Sequence, residues 1–168
     1  MTNQVSDRES PVVQYVRIAE IKVASCGILK ATLGSCVGVA MIDRRSGICA
    51  LGHCLLPWAP TGVSPVDARF ADHVIPNLLD AIGVARTHRK GLTVFMAGGA
   101  RMVPDRDQQR VAVGDLNVAT VKAALEAHRI SFHVLETGGV QGFNLLLDCD
   151  AQVATCTRIS TMDSKERS

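Results

Sequence analysis

The sequence contains few aromatic residues, almost no excess of charge and no long apolar run. Phe, Trp and Tyr together make up 4% of its 168 residues, and the formal net charge at pH 7 is +2. Proteins that bind nucleic acid need a basic surface or aromatic side chains on which bases stack, so this composition disfavours a nucleic-acid partner. No apolar stretch approaches the roughly 20 residues that cross a bilayer, which predicts no membrane insertion.

The N-terminal segment lacks the apolar core of a secretory signal peptide. Residues 1–11 are mostly polar, so the six cysteines are expected to face a reducing cytoplasm rather than to form disulfides. There is no Cys-x-x-Cys pair, and the adjacent residues His53 and Cys54 would point to opposite faces of a strand. This arrangement disfavours a tetrahedral metal site. We expect neither a metal nor a cofactor.

The composition is otherwise that of a globular protein. Hydrophobic residues make up 47% of the chain, and mean hydropathy is +0.18. A chain of this length predicts one domain, which we place at residues 13–157, between polar tails at 1–12 and 158–168. Strand-like runs predominate near both ends, whereas helical periodicity is confined to the middle. This pattern predicts an α/β (α+β) sandwich around a mixed or antiparallel sheet core.

Two helices and a loop are expected in the middle of the chain. The first helix has apolar residues at helical spacing over 71–82, and Pro76 should kink it or lie in its first turn. Asn117 is a suitable N-cap for the second, after a short strand at 111–113. Residues 101–110 are rich in charge and predict a solvated loop.

The feature around which the chain is organised is a predicted β-hairpin. Two apolar runs at 37–42 and 48–51 flank a segment of turn-forming residues. The turn composition favours pairing of Asp43 with Ile48. That register determines which side chains lie next to each other further along both strands.

In this register, a cysteine and a histidine lie on one face of the hairpin. Gly38 is then opposite His53, and Cys36 is diagonal to His53, roughly 5.5–8 Å away at Cβ. Leu55 shares the same face, because side chains alternate along a strand. Gly38 is expected to leave room above the pair. A slip of one residue would separate Cys36 from His53.

A thiol beside an imidazole is typical of a cysteine nucleophile. The imidazole takes the thiol proton, and the thiolate attacks a carbonyl carbon. Gly34 and Ser35, just before Cys36, offer backbone N–H groups that can stabilise an oxyanion. Together these residues predict acyl transfer on an amide or ester. The alternative is a buried cysteine that packs as a small hydrophobe.

These two motifs resemble those of the CheD family, the receptor glutamine deamidases of bacterial and archaeal chemotaxis. The resemblance rests on LGSCVGVAMID at 33–43 and GICALGHCLLP at 47–57, followed in family order by FAD at 70–72, AGGA at 97–100, VG at 113–114 with Asn117, and TGG at 137–139. It covers roughly residues 14–155. It implies a three-layer αββ sandwich, with Cys36 as the nucleophile and His53 as its partner.

One expected residue of the family pattern is absent. The family's third catalytic residue is a threonine, and Lys30 occupies its usual position in this chain. Thr32 is the nearest threonine before Cys36, and it has the same parity as Lys30, so a strand would point both to one side. Thr32 is therefore the candidate third catalytic residue, and the choice between Thr32 and Lys30 stays open.

The resemblance implies a protein-glutamine deamidase. Specific glutamines of methyl-accepting chemotaxis receptors would become glutamates through a cysteine thioester, with release of ammonia. The resemblance also implies that the site can hydrolyse receptor methyl esters and that a CheC-type phosphatase can dock over it. The alternative is a catalytically weak binding module for the phosphatase or the receptor. The presence of both Cys36 and His53 favours the enzyme.

Overall fold

The computed structural model describes residues 10–102 and 111–160. Outside these residues lie positions 1–9 of the expected N-terminal tail, 161–168 of the expected C-terminal tail and 103–110 of the expected charged loop. The Val12 carbonyl accepts a hydrogen bond from Ile28 N–H, and Arg158 forms an ion pair with Glu136 at 2.7 Å.

Within the described residues, the chain forms nine strands and two α-helices. In chain order they are β1 (Val13–Tyr15), β2 (Ile21–Ala24), β3 (Ile28–Leu33), β4 (Val37–Asp43), β5 (Ile48–Cys54), α1 (Ala71–Ile82), β6 (Leu92–Gly98), α2 (Val113–Ala127), β7 (His133–Thr137), β8 (Phe143–Asp148) and β9 (Val153–Arg158). A 3₁₀ helix, Arg86–Gly91, precedes β6.

The strands form two mixed sheets that pack face to face. One has the order β1-β3-β8-β9 and the other β2-β5-β4-β6-β7, with parallel pairs between β1 and β3 and between β6 and β7. Both helices contribute to a hydrophobic core on one side of the five-stranded sheet, and the second sheet covers its other side. The expected α+β sandwich with three layers is confirmed.

Strand β4 lies at the centre of the five-stranded sheet and is buried on both faces. Val39 and Met41 pack in the core shared with the helices, whereas Ala40 and Ile42 pack in the core between the sheets. Burial on both faces explains why this strand is an uninterrupted apolar run in the sequence. The same arrangement places the residues before β4 at the junction of the two sheets.

Helix α1 has the expected range, 71–82, whereas α2 starts at a different residue from the one expected. Pro76 lies inside α1 beyond its first turn, so the first-turn placement is wrong. Helix α2 begins at Val113, so residues 111–113 do not form a strand and Asn117 is not the N-cap. The first turn of α2 packs closely against the Gly99 backbone, since a Cβ on Gly114 would lie 2.5 Å from the Gly99 carbonyl oxygen. No helix in the described ranges has the length and apolar character to cross a membrane.

Candidate active site

The hairpin of β4 and β5 has the register that the sequence predicts. Asp43 pairs with Ile48, and Gly38 pairs with His53. The Asp43 carboxylate holds the turn, because it accepts hydrogen bonds from Ser46 Oγ at 2.7 Å and Arg45 N–H at 3.1 Å. The local turn therefore determines the register, which places His53 near the end of β5.

Cys36 and His53 both lie on the side of the five-stranded sheet that faces the other sheet. Cys36 precedes the first residue of β4 and packs in the core between the sheets, against which Leu55 also packs. Both are buried, with 6% of Cys36 and 3% of His53 exposed. The two residues that sequence reasoning paired are thus on one face, next to the same hairpin end.

The space above Gly38 is filled rather than open. A Cβ at this position would lie 2.7 Å from Leu145 Cδ2 and 3.1 Å from Leu33 Cδ1, both from the other sheet. The expectation that Gly38 leaves room above the pair is therefore wrong. A glycine here lets the two sheets approach closely beside His53.

The hydrogen bonds of His53 determine its tautomer. Nδ1 lies 3.1 Å from the carbonyl oxygen of Val16, which can only accept, so Nδ1 carries the proton. Nε2 then holds the lone pair, and it is buried without a hydrogen-bond partner among the described residues. Burial lowers the pKa of His53, although the hydrogen bond to Val16 and the charge of Glu20 oppose this shift. The result is a neutral imidazole with a free basic nitrogen.

The segment before β4 is held by its carbonyl groups. The three carbonyls of residues 34–36 accept hydrogen bonds, in order, from Ala100 N–H at 2.8 Å, Asn117 Nδ2 at 2.9 Å and Gly99 N–H at 2.8 Å. The N–H groups of the same three residues donate no hydrogen bond to another residue in the described part of the chain. Gly34 and Ser35, the expected oxyanion region, therefore have N–H groups without a partner in the described part of the chain, on a backbone fixed by its carbonyls.

Two glycines allow this close approach. Gly98 has φ 119°, and a Cβ there would collide with the Cys36 carbonyl oxygen. Gly99 has φ 72°, and a Cβ added at this position would lie 2.8 Å from the Gly114 carbonyl oxygen. The paired glycines thus connect the Cys36 segment to α2.

Asn117 is the site residue that sequence reasoning assigned wrongly. Its side chain has no exposed surface, and Nδ2 donates both to Ser35 O and, at 2.8 Å, to Leu55 O. The sequence did contain a signal, since Asn117, Val121 and Leu125 recur every four residues and so share the buried face of α2. A buried asparagine on such a face needs partners, and here they are two backbone carbonyls beside Cys36 and His53.

His53 also lines a cavity of about 420 Å³. The other described residues around it are Tyr15, Val16, Arg17, Ile18, Lys30 and Thr32. Lys30 and Thr32 point to one side of β3, as their parity predicts. Cys36 is not among the lining residues, so the cavity reaches the histidine and not the thiol.

The hydroxyl of Thr32 is not directed at His53. Thr32 pairs with Asn144 across the strands β3 and β8, and its Oγ1 donates to Asn144 Oδ1 at 3.0 Å. Thr32 therefore shares the cavity with His53, while its hydroxyl proton is held by a neighbouring strand.

The cysteines near the site have weakly acidic thiols. Burial raises the pKa of Cys36, and it raises the pKa of Cys54 to about 12. Cys54 packs in the core shared with the helices, on the face opposite His53, and its thiol donates to Val37 O at 3.4 Å. No group of three or more His, Cys, Asp or Glu side chains within 10–102 and 111–160 could hold a metal ion.

Comparisons with known proteins place this chain in a family. The family model described as CheD chemotactic sensory transduction matches residues 55–158. A relative from Bdellovibrio bacteriovorus is 40% identical over 142 residues, which cover 83% of this chain and 91% of the relative. Relatives from Clostridium botulinum and Archaeoglobus fulgidus are 33% and 31% identical, covering 79% and 76% of this chain and 85% and 81% of the relatives.

All three relatives carry the name "Probable chemoreceptor glutamine deamidase CheD". The alignment with the Bdellovibrio protein extends over nearly all of that protein, and the family model covers more than half of this chain. The chain therefore belongs to the CheD family of chemotactic sensory transduction.

Proposed function

We propose that this protein is a protein-glutamine deamidase that hydrolyses glutamine side chains of methyl-accepting chemoreceptors to glutamate and ammonia. The observation that carries the proposal is the neutral His53, whose Nε2 has no hydrogen-bond partner among the described residues. His53 pairs with Gly38, over which side chains of the other sheet pack, so it faces the same inter-sheet region as Cys36. The names of the relatives supply the substrate. The cytoplasmic helices of the receptors are then the partner, and the cytoplasm is the place of action.

The resting site holds a neutral thiol and a neutral imidazole. Burial raises the pKa of Cys36 and lowers that of His53, so a preformed thiolate–imidazolium pair is disfavoured near pH 7. His53 therefore acts as a general base during attack. Nε2 takes the proton from Sγ as the sulfur bonds to the amide carbon. The Val16 carbonyl, bonded to Nδ1–H, stabilises the imidazolium that forms.

The tetrahedral species places negative charge on the former amide oxygen. The N–H groups of Gly34 and Ser35 have no partner among the described residues, and the N–H of Cys36 contacts its own thiol. These three groups are the donors that can stabilise this oxyanion. The carbonyls of the same residues are fixed by Gly99, Ala100 and Asn117, so the donors need little reorganisation as charge develops. Gly34 and Ser35 are the residues we assign to this role, together with Cys36.

The remaining steps restore the enzyme. His53 returns its proton to the leaving nitrogen, the C–N bond breaks, and ammonia departs from the thioester. His53 then takes a proton from water as the hydroxyl adds to the thioester carbon, and the C–S bond breaks to give glutamate and the thiol. A glutamate methyl ester would follow the same steps with methanol as the leaving group. No cofactor is needed for either reaction.

Thr32 is the residue we assign as the third member of the site. It lines the cavity with His53, and its hydroxyl oxygen can accept a hydrogen bond from the substrate amide while it donates to Asn144. We therefore assign Thr32 to orienting the substrate rather than to proton transfer. Lys30, on the same side of β3, lacks an acceptor and cannot do the same.

A second candidate function is a catalytically weak binding module for a CheC-type phosphatase or for the receptor. Lys30 at the family threonine position and the burial of Cys36 favour this alternative. The two functions differ in ammonia release. A binding module retains its partner affinity when Cys36 is replaced, but neither wild type nor any variant releases ammonia.

The test is mass spectrometry of a purified chemoreceptor cytoplasmic fragment from the same organism, incubated with wild type or Cys36→Ala. We expect the mass gain of amide-to-acid conversion at specific glutamines with wild type alone. Cys26→Ala, which removes an exposed thiol, is the matched control and should behave as wild type. Equal conversion by Cys36→Ala would exclude the thioester mechanism, and no conversion by wild type would support the binding module.

A further inference from the structure

Among the described residues, two basic side chains and no acidic one line the cavity beside His53. Lys30 and Arg17 contribute the positive charge, and the remaining described lining residues are Tyr15, Val16, Ile18 and Thr32. Glu20, the nearest carboxylate along the chain, accepts the backbone N–H of Arg17 at 2.8 Å and does not line the cavity. The charged side chains in the described lining are therefore both positive, and the Glu20 carboxylate acts on His53 from outside this lining.

Lys30 has no ion-pair partner in the described ranges. It is half-buried on β3, and its Nζ lies 5.6 Å from the centre of the Tyr15 ring. The ring face compensates part of the lost hydration of the ammonium group, but it leaves the positive charge unneutralised. A half-buried cation of this kind favours a ligand that brings a negative charge.

The spacing on β3 relates this charge to the reaction. Lys30 and Thr32 are alternate residues on one face of β3, so their Cα atoms lie about 7 Å apart. Residues three or four apart on a helix are separated by a similar distance, about 5–6 Å at Cβ. A helical substrate that presents its amide to His53 and Thr32 would thus present a residue one turn away to Lys30.

We propose that Lys30, assisted by Arg17, binds an Asp or Glu side chain of the substrate that lies within one helical turn of the target glutamine. This inference rests on the proposed deamidase function and names the substrate class that this chain prefers. Lys30 then acts as a specificity residue at the position where the family pattern has threonine. Its contribution is to KM, because the ion pair forms in the bound complex and is unchanged during the chemical step.

The experiment combines enzyme and substrate variants in one cycle. The substrate is the chemoreceptor cytoplasmic fragment with its modified glutamine mapped by mass spectrometry, alongside a version whose acidic residues within four positions are changed to Ala. The enzymes are wild type, Lys30→Gln, Lys30→Arg and Lys22→Gln. Lys22→Gln removes the same charge from β2, outside the cavity lining.

With the parent fragment, we expect Lys30→Gln to lower kcat/KM by about three- to tenfold, mainly through KM, and added salt to reduce the difference. With the fragment that lacks acidic neighbours, wild type and Lys30→Gln should have the same kcat/KM. Lys30→Arg should retain the preference, since it keeps the charge, and Lys22→Gln should match wild type on both fragments.

Two results would overturn this inference, and they differ from the failure of the proposed function. An equal loss by Lys30→Gln on both fragments would show that Lys30 does not contact the substrate carboxylate. If Lys30→Gln kept the wild-type kcat/KM on both fragments, the charge of Lys30 would have no role in substrate binding. If wild type converts no glutamine in either fragment, the deamidase function itself fails.

Discussion

The side-chain amide of Asn117 lies 2.9 Å from the carbonyl oxygen of Ser35, the residue that precedes Cys36. The same nitrogen donates to Leu55 O, two residues after His53. One fully buried side chain on α2 thus joins the segments that contribute the candidate nucleophile and the candidate base. The relative position of Cys36 and His53 depends on this contact as well as on the hairpin.

We predict that Asn117→Ala lowers kcat for deamidation more than it raises KM. Removal of the donor leaves two buried carbonyls unsatisfied, which costs about 1–3 kcal/mol in the free energy of unfolding. Asn77→Ala is the matched control, since Asn77 donates to Pro65 O at 3.0 Å away from the site. Urea unfolding and steady-state kinetics measure both effects. A positioning role would be excluded if both variants lost stability equally and neither changed kcat.

The reactivity of Cys36 should depend on pH as expected for a thiol with a raised pKa. Burial stabilises the neutral form, so the rate of alkylation by iodoacetamide should still increase as the pH approaches the ordinary thiol value of 9.0. Peptide mass spectrometry separates Cys36 from the exposed Cys26, which serves as the internal reference. A rate that reaches its plateau near neutral pH would instead indicate a resting thiolate paired with imidazolium.

Stability should fall in acid because of His53. Its pKa in the folded protein is below the ordinary value of 6.5, so the unfolded chain takes up this proton first as the pH falls. The contribution of His53 is therefore fully present above 6.5 and is lost as the pH falls below it. When urea unfolding is measured above and below this pH, the free energy of unfolding should fall less in His53→Gln than in wild type. His88→Gln, at an exposed histidine, is the control and should lose as much free energy of unfolding as wild type. If His53→Gln showed the same pH dependence of this free energy as wild type, the lowered pKa of His53 would be contradicted.

Gly98→Ala should disrupt the site. A Cβ at this position collides with the Cys36 carbonyl oxygen, and φ 119° is strained for any other residue. Gly62→Ala is the control, because Gly62 also has positive φ, 89°, but has no atom within 4 Å of the added Cβ. We expect Gly62→Ala to lower the free energy of unfolding by about 1 kcal/mol. Gly98→Ala should lower it further and should also abolish deamidation. Equal costs in urea unfolding would mean that the backbone beside Cys36 moves freely.

Thr32→Val tests the assignment of the third residue. The change keeps the shape and removes the hydroxyl, so deamidation should fall by about tenfold or more if the oxygen orients the substrate amide. Thr157→Val, also on a strand and exposed, is the control. Lys30→Thr should restore part of the activity of Thr32→Val if position 30 can contribute the hydroxyl. Wild-type rates in Thr32→Val would remove Thr32 from the site.

Local sequence patterns were sufficient to predict the hairpin and its register. Turn-forming residues after Asp43 and alternating side chains on both strands specify the register, because a shift of one residue would move every side chain to the other face. The strand-rich ends of the chain likewise indicated a sandwich. These features depend on neighbours along the chain, so composition and periodicity reveal them.

The surroundings of the candidate pair depend on contacts between distant segments. Asn117 was misassigned because its partners lie far away in sequence, at Ser35 and Leu55, and a residue type suited to capping is equally suited to a buried clamp. Gly38 was expected to leave open space, but Leu145 of the other sheet fills it. Local patterns in the chain were enough to predict the hairpin and its register, and to select Cys36 and His53 as candidates. The surroundings of these two residues depend on the packing of two sheets and a helix, because periodicity marks a buried face but does not identify the distant residue that a side chain contacts across layers.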